Sequence, residues 1–254
     1  MASAVSLQGL TKFFGGRRAV DSVSLEIAQG ELFGFLGPNG AGKTTTIKMV
    51  VGLLQPSSGT ALVYGHDVVT NPLEAKAVTG YVPDHTQLYE KLTGRETLRL
   101  VADLYRVPRQ MQAPRMEPLL ETFELVDAAD DLVQSYSRGM RQKLALCAAL
   151  IHDPKVLFLD EPTVGLDPAS ARQMQEVLRR LCADGTTIFL STHVLAVAET
   201  LCDRVGILQH GRLLTVDSTS ALRNAQDRDL EDAFLRLTGR DDTDLSALPS
   251  KLGA

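Results

Sequence analysis

The run Gly37-Pro38-Asn39-Gly40-Ala41-Gly42-Lys43-Thr44 has the spacing G-x-x-x-x-G-K-[ST], with the apolar LFGFL before it and TTIKMVVGLL, beginning at Thr45, after it. Glycines at those places let backbone N–H groups close around phosphate oxygens, and the start of a helix adds its partial positive charge. Lys43 then neutralises β/γ oxygens and the Thr44 hydroxyl is a Mg²⁺ ligand. A glycine turn that merely joined strand to helix would not require Lys-Thr there. The motif implies a nucleoside triphosphate site.

A second element brings acids. Val156-Leu157-Phe158-Leu159-Asp160-Glu161 is an apolar run closed by two carboxylates. Such a run reads as a strand buried on both faces of a parallel sheet, whose C-terminal edge is where ligands collect. Asp160 is then placed beside the metal. Glu161 is left free to accept a proton from, or to orient, a water attacking the γ-phosphate. An acidic pair can also cap a helix, but Pro162 follows directly, and Asp167 before Pro168 is the better cap.

The elements that must position these groups follow from periodicity. Residues 5–36 hold short alternating or apolar runs with turn signals at Gly15-Gly16 and Gln29-Gly30, which predicts an antiparallel β start. TALVYGHDV reads as another short β unit, and a further apolar run ends at Gly80-Tyr81-Val82-Pro83. From Tyr89 to Ala149 the apolar residues recur at three or four, punctuated by Pro108, Pro114 and Pro118, which predicts a helical insertion. KVLFLD and TTIFLST, with a helix over 168–183 between them, read as a βαβ unit. LEDAFLRLTG is amphipathic, and the polar RDDTDLSALPSKLGA beyond it is expected to fray.

Composition sets the outer bounds. The 254 residues are 44% hydrophobic and 22% charged, which argues for a globular protein and against disorder or a disulfide scaffold. A net charge of -5 offers no global attraction to nucleic acid or anionic lipid. Cys147, Cys182 and Cys202 read as reduced core thiols. The uncharged stretch from Met49 to His66 is too polar to cross a bilayer, and the N-terminal stretch lacks a secretory pattern, so a cytosolic location is expected.

Ser135-Tyr136-Ser137-Arg138-Gly139-Met140-Arg141-Gln142-Lys143, followed by an Ala/Leu-rich helix and Asp153-Pro154-Lys155, resembles the signature segment of the ATP-binding-cassette (ABC) ATPases. Where the family has LSGGQ, this chain has Tyr136, Ser137, Arg138, Gly139 and Met140. Lys43, Ser137 and Asp160 follow one another in the family's order and spacing. Gly165-Leu166-Asp167-Pro168 resembles the family's D-loop, His193 its switch histidine, and Phe14 the aromatic that stacks on adenine. Asp84 stands where the family has a glutamine, and a carboxylate there can still ligate magnesium.

The resemblance covers residues 5–220. It implies an α/β P-loop cassette: a mixed or parallel core sheet flanked by helices, an antiparallel β subdomain, and a helical subdomain at about 85–150. Residues 1–220 would form the nucleotide-binding domain and 221–254 a C-terminal extension. It further implies ATP and Mg²⁺, two copies that sandwich two ATP with each signature facing the other copy's P-loop, and a separate membrane permease. The chain would then be peripheral at the cytoplasmic face of the cell membrane.

GYVPDHTQLYEKLTGRETL, YSRGMRQKL and LEDAFLRLTGR resemble ATPase subunits of ABC-2 type exporters. Residues 84–96, with Tyr89 and Lys91, are expected to dock the permease. A chromosome-maintenance ATPase would need a long coiled coil, and a translation factor two cassettes. A module that binds ATP without turnover is opposed by Glu161 and His193, although Asp84 leaves it open.

Overall fold

The alternation within each apolar strand sends neighbouring side chains to opposite sides of one sheet, and each side has its own core. In the computed structural model, which describes residues 3–223 and 227–239, Leu32 and Leu36 of a central strand enter one apolar cluster. Phe33 and Phe35 of the same strand enter another. Leu157 and Leu159 part from Val156 and Phe158 in the same way, and Ile188 and Leu190 from Phe189. Phe189 packs on Phe33, Phe35 and Phe158 with ring centroids 5.7, 5.2 and 5.4 Å away. Each such ring taken out of water contributes about 1.5–3 kcal/mol.

In chain order the elements are β1 (Ser3–Phe14), β2 (Arg17–Ala28), β3 (Leu32–Leu36), α1 (Lys43–Val50), β4 (Ser58–Val63), β5 (His66–Asp67), α2 (Pro72–Ala77), β6 (Thr79–Val82), α3 (Gly94–Leu104), α4 (Arg109–Thr122) and α5 (Arg138–Leu150). They continue with β7 (Val156–Asp160), α6 (Pro168–Ala183), β8 (Thr187–Thr192), α7 (Leu195–Leu201), β9 (Arg204–Gln209), β10 (Arg212–Ser218), α8 (Thr219–Leu222) and α9 (Leu230–Thr238). One antiparallel sheet has the order β2-β1-β4-β5; the other runs β10-β9-β3-β8-β7-β6. Its five strands from β9 to β6 are parallel, and only β10 joins antiparallel. The register aligns Leu36 with Thr192, Asp160 with Ser191 and Val82 with Leu159, so the C-terminal ends of β3, β6, β7 and β8 form one edge.

The segment between β6 and β7 is helical, as the period predicts. Thr93 and Glu96 close a capping box at the start of α3, which satisfies two backbone donors at once. Pro114 and Pro118 do not punctuate: α4 runs through both. Each removes a backbone donor, yet both face solvent, while Gln112, Met116 and Leu120 of the same helix are buried. Packing of that face outweighs the lost helix bonds.

α9 returns to the cassette. Leu230 and Phe234 join the cluster that contains Leu201 of α7, and Gln209 Nε2 donates to Thr238 O at 2.8 Å. The polar stretch 240–254 lies outside the described residues. Cys147 and Cys202 are buried, Cys182 is half-buried, and all three are free thiols. Among the described residues no helix is long and apolar enough to cross a membrane.

Candidate functional site

The turn from β3 into α1 is built on glycine. Gly42 has φ 109° and its Cα faces Ala19 O, which a Cβ would approach to 2.6 Å, so a side chain there fails on both conformation and space. Lys43, first residue of α1, is 5% exposed. Its Nζ donates to Gly37 O at 2.7 Å and Pro38 O at 3.4 Å. The loop's own carbonyls thereby hold the ammonium over the loop.

β7 and β8 deliver the acids and the histidine. Asp160 is fully buried. One carboxylate oxygen accepts from the Ser191 hydroxyl on the neighbouring strand, and Oδ2 has no hydrogen-bond partner. Burial pushes its carboxyl above the usual aspartate range, with Ser191 and Thr44 pulling the other way and Asp84 and Glu161 adding to the rise. Tyr81 on β6 feels the same surroundings: burial first, then the charges of Asp160 and Asp84, push its phenol up.

Glu161 leaves β7 with φ 53°, in the left-handed region that a residue with a Cβ adopts at a cost of about 1 kcal/mol. That turn aims its carboxylate across the strand ends. Oε1 lies 3.0 Å from His193 Nδ1 and 3.5 Å from Lys43 Nζ, while Oε2 accepts from the His193 backbone N–H at 3.3 Å. Two residues distant in sequence thus meet on one carboxylate.

A cavity of about 550 Å³ opens here, lined by the loop residues Pro38 to Thr45, Phe14, Glu161 and Asp84. Phe14 is half exposed on its wall. Phe13 is not on the wall; its ring carries Arg18. The start of β2 and the β9–β10 turn complete the wall with Arg17, Arg18, Ala19, His210 and Gly211. Sequence reasoning missed these. Gly15-Gly16-Arg17-Arg18 after Phe14 was a usable signal for the first turn, but nothing local marks His210-Gly211, which arrive through the hydrogen bonds Gly211 N–H to Ala41 O and Asp21 N–H to Gly211 O, both 2.8 Å.

The signature residues lie elsewhere. Ser137 caps α5, its Oγ accepting from Met140 N at 3.2 Å, and Ser137 and Arg138 are exposed. Tyr136 is 4% exposed, with its hydroxyl donating to Ala128 O at 2.6 Å. Its side chain is therefore packed in the apolar cluster between the helices that precede β7, although it also borders a cavity. The guanidinium of Arg138 lies against Gly165, where a Cβ would stand 2.5 Å from Cζ. Asp167 caps α6, accepting from Ala169 and Ser170 N–H at 3.0 Å each, and the Ser170 hydrogen bonds hold its carboxyl below the usual range. Tyr136 and Arg138 share a separate cavity of about 270 Å³ with Asp84. Asp84 is thus the residue common to both cavities.

A glycine loop ahead of a helix, a buried Asp160 followed by a half-buried Glu161 at the edge of a parallel sheet and a histidine just past the neighbouring strand define a P-loop nucleoside triphosphatase. A family model described as ABC transporter matches residues 20–164. The daunorubicin/doxorubicin resistance ATP-binding protein DrrA of Streptomyces peucetius is 40% identical over 222 residues, 87% of this chain and 67% of that one. The Nod factor export ATP-binding protein I of Burkholderia lata is 40% identical over 218 residues, 86% of this chain and 72% of that one. A solved structure described as the ATP binding subunit of an ABC transporter superposes with TM-score 0.87 at 31% identity, covering 92% of this chain and 99% of that chain. This chain belongs to the ABC transporter family as an ATP-binding subunit, and its activity is that of an ATP hydrolase.

Proposed function

We propose that this chain hydrolyses ATP in pairs to drive export through a separate ABC-2 type permease, sitting at the cytoplasmic face of the membrane through that permease. Export is supported by the relatives named for drug resistance and Nod factor export. ATP lies in the 550 Å³ cavity, its adenine on Phe14, its phosphates in the loop that lines it from Pro38 to Gly42, and Lys43 on the β/γ oxygens. Residues 1–220 form the nucleotide-binding domain, with the helical subdomain at about 85–150, and 221–254 extend it.

The donor set suits Mg²⁺. That ion takes oxygen ligands and keeps only one or two carboxylates beside substrate phosphates. Asp160 Oδ2, buried and unpartnered next to Thr44, is an oxygen of that kind, with Asp84 as the second carboxylate. When bound, the ion neutralises charge on the β- and γ-phosphate oxygens. Glu161 accepts the proton of the attacking water, and His193 keeps that carboxylate aimed.

One observation carries the pairing. Ser137, Arg138, Gly139 and Met140 do not line the cavity that holds Lys43 and Glu161. A helix N-terminus with an exposed serine and an exposed arginine suits a γ-phosphate, and that phosphate would come from a second copy, whose Asp167 segment also meets this one. Light scattering of the Glu161→Gln variant tests this: a doubled mass with ATP and a single mass with ADP are expected. A single mass under both conditions overturns the pairing.

A further inference from the structure

Arg141, one turn into α5, is used on every side. Its Nε donates to Tyr136 O at 3.2 Å, Nη2 to Gln134 O at 3.1 Å and Nη1 to Glu90 Oε1 at 3.0 Å. Two of these acceptors are backbone carbonyls of the loop that enters the signature, and Tyr136 directly precedes Ser137. The third sits on the segment that leaves β6 through Asp84. The two stretches are joined along their backbones as well, by Val133 N–H to Leu92 O at 2.8 Å and Gln134 N–H to Glu90 O at 3.1 Å. Lys91 Nζ adds a bond to Gln134 Oε1 at 2.7 Å.

Just upstream the contact opens. Asp84, His85 and Thr86 face Arg138, Arg141 and Gln142 across the 270 Å³ cavity rather than packing on them. The segment therefore has room to shift near Asp84 and a fixed attachment at Glu90. The Arg141 and Glu90 side chains are 31% and 58% exposed, and an ion pair so open to water adds little to stability. Its geometry is the informative part: a planar fork holds three acceptors in fixed relative positions, which the single nitrogen of a lysine cannot do.

We propose that Arg141 is a positioning residue that locks the Tyr89–Leu92 segment to the signature backbone. Displacement of that segment then reorients Ser137 and the first turn of α5. The consequence for ATP rests on the paired reading above, in which Ser137–Met140 meet the nucleotide of a second copy. The lock itself does not rest on it.

The test uses the full chain and the variants Arg141→Lys, Glu90→Ala and Glu90→Gln. Hydrogen exchange should accelerate about threefold or more at the amides of residues 137–140 in Arg141→Lys, with the amides of β3 and β7 unchanged. In a Glu161→Gln background the same change should raise the ATP concentration for half-maximal association about tenfold, while ADP affinity and melting temperature stay as they were. Glu90→Ala should act in the same direction, and Glu90→Gln, which keeps an acceptor for Nη1, should act least. Unchanged exchange at residues 137–140 overturns the proposal. So does exchange that rises throughout the chain together with a lowered melting temperature and lost ADP affinity. If the Glu161→Gln parent itself never associates, the paired reading fails, and the local exchange pattern alone decides on Arg141.

Discussion

At the carboxyl edge of the parallel sheet, Asp160 is held inside a buried ladder, and Glu161 and His193 follow directly on the ends of β7 and β8, strands whose register is fixed. Around Ser137 two backbone bonds, Val133 N–H to Leu92 O and Gln134 N–H to Glu90 O, are joined by side chains at the surface: Arg141 on Glu90, Lys91 on Gln134, Arg138 against Gly165. Moving Asp160 would break ladder hydrogen bonds between close-packed strands. The second region is held by contacts of low individual strength beside an open cavity. In this molecule Asp160 is anchored to the core, and the stretch around Ser137 is held largely by contacts at the surface.

That contrast can be broken at several points. Replacing Glu161 by Gln should lower turnover by about two orders of magnitude or more while ATP still binds, as expected for loss of a general base. Steady-state ATPase and equilibrium binding check it, and near-normal hydrolysis would remove Glu161 from that role.

Lys43→Ala should cost ATP affinity itself, by about tenfold or more in calorimetry, because the ammonium meets β/γ oxygens in the ground state as well as in the transition state. Unchanged affinity would take Lys43 out of the site.

Asp160→Asn separates function from stability. It should abolish Mg²⁺-dependent turnover and yet raise the melting temperature of the nucleotide-free chain, since it removes a buried charge lacking a full set of partners. The sign follows from linkage. Burial raises the Asp160 pKa from 3.8, so above that value the folded state binds more protons than the unfolded one. This carboxyl therefore makes stability fall as pH rises through the folded pKa. The variant should show a flatter stability profile in that window, and a lowered melting temperature would contradict the account.

On the looser side, Tyr89→Ala with Lys91→Ala should leave ATP binding unchanged while lowering permease association and permease-stimulated ATPase. Tyr89 is 70% exposed, whereas Lys91 is already bonded to Gln134. The tyrosine substitution alone should therefore carry most of the loss of association. Normal assembly of the double variant would move the docking surface elsewhere. The smallest effect is expected at Phe14→Ala, a several-fold loss of ATP affinity from a half-exposed stacking ring. No loss at all would mean that the adenine rests elsewhere.

Local order in the chain was enough for much of this. The glycine spacing before Lys43, the apolar run ending in Asp160-Glu161 and the Asp167-Pro168 cap each depend on neighbours in sequence, and their physical meaning survives any arrangement of the rest. The two-faced strands were legible for the same reason: a strand's period is two whatever it pairs with. The prolines of α4 were misleading because propensity is local and weak, while the buried face of that helix is decided by what packs on it. Only the tertiary structure could bury Tyr136 among the helices, bring His210-Gly211 behind the loop at Ala41, set the side chains of Lys43 and His193 around the Glu161 carboxylate, or spend all three nitrogens of Arg141 on two distant stretches. Those are facts of long-range approach. No spacing along the chain encodes a distance between residues that the fold alone makes neighbours.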